Sequence, residues 1–302
     1  MHGDKGANLE PVVHDRLVAS IEKAEASNEA LKNNRVLQGT KKSLEKMKYS
    51  IQFDTPAIIS EVIIKSKNTP QIITGGVRQH SICYVMDKDD LYICNAGLGR
   101  ELNDSAPQKG KGKGKRINTA LHLKLNSDDA KEKALQMIHQ AQLENDSESG
   151  LNIIYKQLQA LDGVTKVEDS IFCQMKGVLQ RSGNCAWKSS QIAVRVVMML
   201  FTIRKLEAEG NITPSLETVN RDMSKLYHQT ISATHMRREA FRDYAINKLG
   251  EDPDYNPEND KDVFPPTTRK DLEYTTKKAK LLKMMKEVLA EERAPLEEKS
   301  AT

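Results

Sequence analysis

The longest apolar run of the chain extends from Ile192 to Ile203 and is nearly continuous. A run of this length is too long for a strand, and Gly210 follows it as a stop signal, so the pattern predicts a buried helix. A polar, glycine-containing turn begins at Gln180 and leads directly into Cys185. We therefore expect Cys185 to lie at, or just before, the first turn of this central helix.

Two β-rich runs around a polar turn predict a hairpin. The runs cover residues 80–86 and 91–95, and the turn is Asp87-Lys88-Asp89-Asp90. A Gly-Gly pair precedes the hairpin, and Gly97 and Gly99 follow it. Further strands are predicted at Tyr49–Phe53, Ile117–Leu125 and Val164–Val167, whereas Pro56–Lys65 fits either a helix or a strand.

Helical periodicity covers most of the remaining chain, which predicts an α+β fold: a small mixed sheet packed on the central helix. We divide it into an N-terminal helical arm (1–48), a core (49–210) with a helical insertion (126–162), and a C-terminal helical region (211–302). The arm is expected to be a solvated extension, with binding of a partner as the alternative. Other predicted helices are Asp128–Leu143, Leu151–Leu161, Leu216–Leu226, Met236–Leu249 and Thr267–Arg293.

Composition bears on the partners and the cellular compartment that we expect for the protein. The formal net charge is only +4 over 302 residues, and no nucleic-acid-binding motif accompanies it, so we expect no nucleic-acid partner. The four cysteines form no CxxC pair, which favours a reducing compartment and no metal site. The start lacks a signal-peptide pattern and the central apolar run is too short to span a bilayer, so we expect a soluble, cytosolic protein without an integral membrane segment. The lysine–glycine stretch Lys109–Arg116 predicts a solvated basic loop. The functional alternative is that this loop contacts an acidic partner.

Cys185 is the candidate for chemistry. The first turn of a helix presents unpaired N–H groups and the positive end of the macrodipole, both of which favour a thiolate. Gln180, five residues upstream, could place an amide N–H beside the sulfur, where an oxyanion would develop during acyl transfer. The plain alternative is a buried structural cysteine.

A cysteine nucleophile needs a base, and the base needs a group that orients it. His80 begins the first strand of the predicted hairpin and Asn95 ends the second. Antiparallel pairing brings the start of one strand alongside the end of the next. We therefore expect His80 and Asn95 to be neighbours, with the amide of Asn95 orienting the imidazole.

The order His80, Asn95, Gln180, Cys185 resembles the CE clan of cysteine proteases, which includes ubiquitin-like-protein proteases, the adenovirus protease, the YopJ acetyltransferases and bacterial-effector deubiquitinases. The resemblance covers roughly residues 70 to 205. It implies that His80 is the general base, Asn95 its orienting partner, Gln180 an oxyanion donor and Cys185 the nucleophile, with no cofactor. The chain departs from the usual pattern at Ser81, at Ala186 and in having Asn rather than an acid as third member.

The papain pattern is the competing architecture, because Gln180, Cys185 and Trp187 are similar to its Gln…Cys-Trp arrangement. Papain-like enzymes place the histidine after the cysteine, where only His228 and His235 are available here, both in helical segments. The glutamate-rich C-terminus resembles the tails of type IV secretion substrates, which agrees with a bacterial effector acting in a host cytosol.

The resemblance implies cleavage of peptide or isopeptide bonds after the glycine-type tail of ubiquitin or a ubiquitin-like protein. Trp187 or the loop containing Gly97 and Gly99 would line the narrow channel for that tail, although Trp187 also fits a core position. The 126–162 insertion would recognise the substrate. Alternatives are acetyl transfer from acetyl-CoA on the YopJ pattern, glutamine deamidation by the same nucleophile, and a non-catalytic helical binding module.

Overall fold

The computed structural model describes residues 10–99, 116–178, 185–211 and 213–230 and has the predicted α+β architecture. Its main sheet has six strands in the order β1-β2-β3-β4-β6-β7; β1 pairs in parallel with β2, and the other neighbours are antiparallel. A separate ribbon pairs β5 with β8. The strands are β1 (Lys48–Tyr49), β2 (Gln71–Val77), β3 (His80–Asp87), β4 (Asp90–Cys94), β5 (Arg116–Asn118), β6 (Ala120–Leu125), β7 (Val164–Lys166) and β8 (Lys176–Val178).

Helices cover both faces of this sheet. On one side, here called the α7 face, α7 packs on β3 and β4, with α1, α3 and α8 behind it. On the other, the α5 face, α4, α5 and α6 pack against the sheet. The helices are α1 (Glu10–Ser27), α2 (Glu29–Lys32), α3 (Arg35–Glu45), α4 (Pro56–Ser66), α5 (Asp128–Leu143), α6 (Ser147–Asn152), α7 (Cys185–Ala208) and α8 (Leu216–Thr230), with a 3-10 segment at Ser50–Asp54 and a π-helical turn at Ile153–Gln157.

Alternation along the central strands explains the two cores. Side chains of β3 and β4 point in turn to the α7 face and to the α5 face, and both faces are apolar. Both strands therefore read as nearly unbroken apolar runs. The α7 face carries Ile72, Cys83, Val85, Tyr92 and Cys94, and the α5 face carries Ile73, Ile82, Tyr84, Leu91 and Ile93.

Helix α7 is the predicted central helix, and its first residue is Cys185. It runs in the same direction as β3. Near its start, the hydroxyl of Ser189 lies 3.4 Å from that of Ser81. Near its end, the guanidinium of Arg204 donates to both carboxylate oxygens of Asp87, at 2.5 and 2.7 Å. Contacts at both ends fix the helix along the strand, so the beginnings of α7 and β3 lie at the same end of the sheet.

The N-terminal helices belong to the core, contrary to the solvated arm expected from the sequence. Leu17 and Ile21 of α1 are 1% and 0% exposed, and they join the same apolar cluster as α7. Helix α3 also packs on α7. The charged residues that suggested a solvated arm occupy the outer sides of helices whose inner sides are apolar.

Local pairing corrects several boundaries. The hairpin and its turn are as predicted. The segment expected as a strand at Tyr49–Phe53 is mostly the 3-10 segment, and the ambiguous segment is α4. The strand predicted at Ile117–Leu125 divides at Thr119 into β5 and β6, which pair in different sheets. The helices predicted at 236–249 and 267–293, and residues 109–115 of the basic loop, lie outside the described residues.

Strand β2 was missed because glycines interrupt its pattern. Gly75 and Gly76 lie near its end and pair with Ile82 and Ser81 of β3, and Gly76 has φ of +139°. A Cβ on Gly76 would lie 2.1 Å from the carbonyl oxygen of His80. Only glycine gives both this backbone conformation and this close approach. The Gly-Gly pair therefore allows β2 to pass directly against the first residue of β3.

Candidate functional site

His80 and Asn95 are in contact, as the sequence predicted. Nε2 of His80 lies 3.0 Å from Oδ1 of Asn95, and the two residues are 7% and 0% exposed. The strand register makes this a diagonal contact. The last ladder pair is Cys83 with Cys94, so continuing that register sets Asn95 across from Ile82. His80 is two residues along on the same face, within reach of a diagonal neighbour.

The surroundings of Asn95 define how its amide is oriented. Its Oδ1 accepts from the backbone N–H of Gly97 at 2.8 Å, and its Nδ2 donates to the carbonyl oxygen of Leu98 at 2.7 Å. A backbone N–H can only donate and a carbonyl oxygen can only accept, so oxygen and nitrogen are unambiguously assigned. Oδ1 therefore faces the imidazole as an acceptor.

This assignment fixes the tautomer of His80. Because Oδ1 has no proton, Nε2 of His80 must be the donor in the 3.0 Å contact. In the neutral imidazole, Nδ1 then carries the lone pair. A neutral histidine held as the Nε2–H tautomer is a general base at Nδ1, which is the arrangement that activation of a thiol requires.

Tyr155 is a site residue that sequence reasoning missed. Nδ2 of Asn95 donates to its hydroxyl oxygen at 2.9 Å, across 60 residues of chain. Tyr155 is 4% exposed and lies in the π-helical turn that follows α6. The sequence placed this segment in an ordinary amphipathic helix, where a tyrosine gives no signal of a polar contact. Its helical turn packs on the α5 face and brings the hydroxyl to Asn95.

Cys185 lies at the end of the sheet where His80 lies. Ser189 is one helical turn after Cys185, and its hydroxyl contacts that of Ser81, the residue after His80. Four residues of helix span about 6 Å, so α7 continues past Ser81 to the level of His80. Cys185 is 8% exposed, and its carbonyl oxygen accepts from the Ser189 hydroxyl at 2.8 Å. The first turn of α7 is thereby closed by a side-chain hydrogen bond.

Alternation places the His80 side chain on the α5 face, with Ile82 and Tyr84, whereas α7 covers the opposite face. A thiol on α7 would have to approach this imidazole around the end of β3 rather than across the sheet. Cys185 and His80 lie near that same end.

Other cysteines are poor candidates for a nucleophile. Complete burial raises the pKa of the Cys94 thiol well above its ordinary value, and burial also raises the pKa of Cys173. Both therefore remain protonated at neutral pH. Cys83 is fully buried between β3 and α7, where its sulfur lies 3.5 Å from the Ser189 hydroxyl. Cys185 has the helix-terminal position that favours a thiolate.

The three residues suggested for a channel are buried, and Trp187 has the core position that the sequence offered as its alternative. Trp187 is 3% exposed and packs in the core on the α7 face, so it does not line a channel. Gly97 and Gly99 are buried; Gly97 holds Asn95, and a Cβ on Gly99 would lie 2.5 Å from Leu151. Leu98 between them is 47% exposed and is the apolar surface beside the His80–Asn95 pair. Gln180 lies outside the described residues.

No protein-family model matches the chain, and no curated protein matches it. Among the described helices, none combines the length and apolarity needed to cross a lipid bilayer.

Proposed function

We propose that the protein is a cysteine protease in which Cys185 is the nucleophile, His80 the general base and Asn95 the residue that orients it. The observation that carries the proposal is the 3.0 Å contact between His80 and Asn95, in which the assigned amide fixes the base-competent tautomer. Support also comes from the start of α7, because its first residue, Cys185, lies near the same end of the sheet as His80.

The proposed reaction has two acyl-transfer steps. Nδ1 of His80 takes the proton of the Cys185 thiol, and the thiolate forms a bond to the carbonyl carbon of the substrate. The C–N bond then breaks, the amine leaves with the proton from His80, and a thioester remains. Water, deprotonated by the same imidazole, hydrolyses the thioester and regenerates the thiol. Gln180 is the proposed donor to the oxyanion in both steps.

The proposed substrate is the C-terminal tail of ubiquitin or a ubiquitin-like protein. Leu98 supplies an exposed apolar contact beside the catalytic pair, and Gly99 lets the loop lie close to Leu151 of α6. Helices α5 and α6 form the predicted recognition insertion. An extended glycine-type tail is narrow enough to approach a site enclosed by residues that are each less than a tenth exposed.

The test is covalent labelling of the full-length protein with ubiquitin-like probes that carry an electrophile at the C-terminus. We expect one adduct on Cys185 that is absent from Cys185→Ala and His80→Ala. Cys173→Ser is the matched control, because it removes a partly exposed cysteine outside the proposed site and should label normally.

Two results would contradict the proposal. Labelling that persists in Cys185→Ala would exclude this nucleophile. A small alkylating reagent that modifies Cys185 at neutral pH no faster than Cys173 would exclude an activated thiolate. If Cys185 is activated but no ubiquitin-like probe reacts, acetyl transfer is tested by incubation with acetyl-CoA, and deamidation by incubation with glutamine-containing proteins.

A further inference from the structure

A second hydrogen-bonded relay of catalytic residue types lies on the α7 face of the sheet, away from His80. His122 of β6 contacts Asp90, the first residue of β4, through Nε2 at 2.8 Å. It contacts Ser170, in the connection between β7 and β8, through Nδ1 at 2.7 Å. Asn95 follows the opposite end of β4, so this relay and the His80–Asn95 pair lie at different ends of that strand.

The direction of the hydrogen bonds follows from the chemistry of the groups. The carboxylate of Asp90 accepts, so Nε2 of neutral His122 carries the proton and Nδ1 has the lone pair. The Ser170 hydroxyl must then donate to Nδ1. Its oxygen also accepts from the backbone N–H of Phe172 at 3.3 Å, which stabilises negative charge developing on that oxygen. The serine is polarised in the sense that a nucleophile requires.

Packing holds the imidazole in this position. The ring of His122 stacks on Tyr92 with centroids 4.5 Å apart, and the edge of Phe172 meets it at 5.9 Å. The backbone carbonyl of His122 accepts from the N–H of Val167 at 3.0 Å, which secures the segment that leads to Ser170. A base fixed by both stacking and hydrogen bonds keeps its distance to the hydroxyl without reorganisation.

We propose that Ser170, His122 and Asp90 form a second nucleophilic site that accepts small acyl groups from esters. His122 Nδ1 takes the proton of Ser170, whose oxygen forms a bond to the acyl carbon, and the ester C–O bond breaks. The alcohol leaves with the proton from His122, and water releases the acyl group by the reverse proton transfers. Ser170 is 8% exposed, which limits the site to small electrophiles.

The neighbouring thiol does not take this role. Cys173 is in the same turn, with its N–H donating to the carbonyl oxygen of Ser170 at 3.0 Å. Burial raises the pKa of its thiol, so it stays protonated at neutral pH. The imidazole contacts the hydroxyl rather than the sulfur, which makes Ser170 the nucleophile.

The test uses diisopropyl fluorophosphate and the full-length protein. Attack by Ser170 forms an Oγ–P bond, expels fluoride and transfers the serine proton through His122 to solvent. We expect a single phosphoryl adduct mapped to Ser170 by peptide mass spectrometry. Ser170→Ala should give no adduct, and His122→Gln should slow labelling about 100-fold.

Ser149 is the matched control serine because its hydroxyl donates to Asp146 at 2.8 Å, and no histidine in the part of the chain that the structure describes is hydrogen-bonded to it. The proposal would be overturned if Ser170 is labelled no faster than Ser149, or if its labelling is unchanged in His122→Gln. The hydrogen bonds of the relay would then serve only to stabilise the fold. Asp90→Asn provides a second variant, because its side chain is 29% exposed and its replacement should leave the fold intact. Its labelling rate should fall at least 10-fold, with p-nitrophenyl acetate hydrolysis falling in parallel; unchanged rates would also overturn the proposal.

Discussion

The side-chain amide of Asn95 makes four hydrogen bonds. Together they fix the orientation of the amide, and thereby the tautomer of the neighbouring His80. Two contacts, from Gly97 and to Leu98, are with backbone groups whose polarity is fixed. The third is with Tyr155 and the fourth with His80. A flip of the amide would place its oxygen against the Leu98 carbonyl and its NH₂ group against the Gly97 N–H. The tautomer of His80 is therefore set by buried hydrogen-bond partners rather than by solvent. An asparagine therefore suits this position as well as an acid would.

Removal of the Tyr155 hydroxyl tests this network. Tyr155→Phe leaves one N–H of Asn95 bonded to Leu98 but deprives the other of its buried acceptor. We expect the free energy of unfolding to fall by about 1–2 kcal/mol, measured by urea denaturation.

A double-mutant cycle isolates the contact. In an Asn95→Ala background, Tyr155→Phe should cost clearly less, because the donor is already absent. Equal costs in the two backgrounds would show that Tyr155 stabilises the fold by packing alone.

The Asp87 carboxyl predicts a pH dependence of stability. Burial raises its pKa although Arg204 attracts the charged form. The folded state then holds this proton more tightly than the unfolded state, so its contribution to stability is present below the unfolded pKa of about 3.9 and is lost as pH rises through the folded pKa. Relative to Asp87→Asn, the unfolding free energy of the wild type should fall with rising pH across that window.

Asp128 provides a control of opposite sign. Hydrogen bonds from Lys131 and Lys67 lower its pKa, so its contribution is present above the unfolded pKa and is lost as pH falls through the folded pKa. Relative to Asp128→Asn, the wild type should therefore gain stability with rising pH below about pH 3.9. Thermal melts of the three proteins over this range measure both slopes; parallel slopes for the two variants would contradict the assignment.

At the scale of elements, the site depends on the alignment of α7 with β3. Ser81 meets Ser189 at one end and Asp87 meets Arg204 at the other. These contacts position the first turn of a 24-residue helix relative to one strand end. The position of that strand end also depends on β2, because its glycines let the β2 backbone lie against His80.

Gly76→Ala should disturb this strand end. The new Cβ would meet the carbonyl oxygen of His80 at 2.1 Å in a backbone conformation with φ of +139°. We expect a loss of about 2–3 kcal/mol in unfolding free energy, since strain and a backbone clash act together. Gly210→Ala is the matched control, because Gly210 also has positive φ but nothing lies within 4 Å of the added Cβ.

Gly210→Ala should therefore cost only the strain, about 1 kcal/mol. Both values are measured by chemical denaturation, and the rate of Cys185 alkylation reports the position of His80. Equal losses in the two variants would show that the close approach of β2 to His80 has no energetic consequence.

The sequence alone predicted the β3–β4 hairpin and helix α7, because residues close together in the chain determine both elements. The hairpin follows from two β-rich runs and a polar turn, and α7 follows from an apolar run with a glycine stop. Strand β2 and Tyr155 were missed because each is defined by partners distant in sequence. β2 is a strand because it pairs with β3 despite two glycines, and the Tyr155 hydroxyl acts 60 residues from Asn95.

At the scale of the whole molecule, the N-terminal helices support the helix that carries Cys185. Helix α1 packs on α7 and α8, and α3 packs on α7 and also contacts β2. α7 is thus enclosed by the sheet on one side and by helices on the other, which explains why it is apolar nearly all around. Removing the first 27 residues should therefore lower the free energy of unfolding of the core, which the removal of a solvated arm would not do.

A single substitution distinguishes these two expectations. Ile21 is fully buried in the cluster that contains α7, so Ile21→Ala should cost about 2–5 kcal/mol. Lys23→Ala, on the exposed side of the same helix, should change the free energy of unfolding by less than about 0.5 kcal/mol. Urea denaturation measures both; a negligible effect of Ile21→Ala would mean that α1 does not stabilise the folded core.

The position of α1 also imposes an order on biosynthesis. Its Ser20 hydroxyl donates to the carbonyl oxygen of Thr230, 210 residues later in the chain. At ribosomal rates of about 5–20 residues per second, the apolar side of α1 waits on the order of 10–40 s for its partners to be made. Until α7 and α8 have been made, α2 and α3 are the neighbouring helices that can cover part of α1. The fold is therefore one in which α1 is translated well before the α7 and α8 surfaces that bury it.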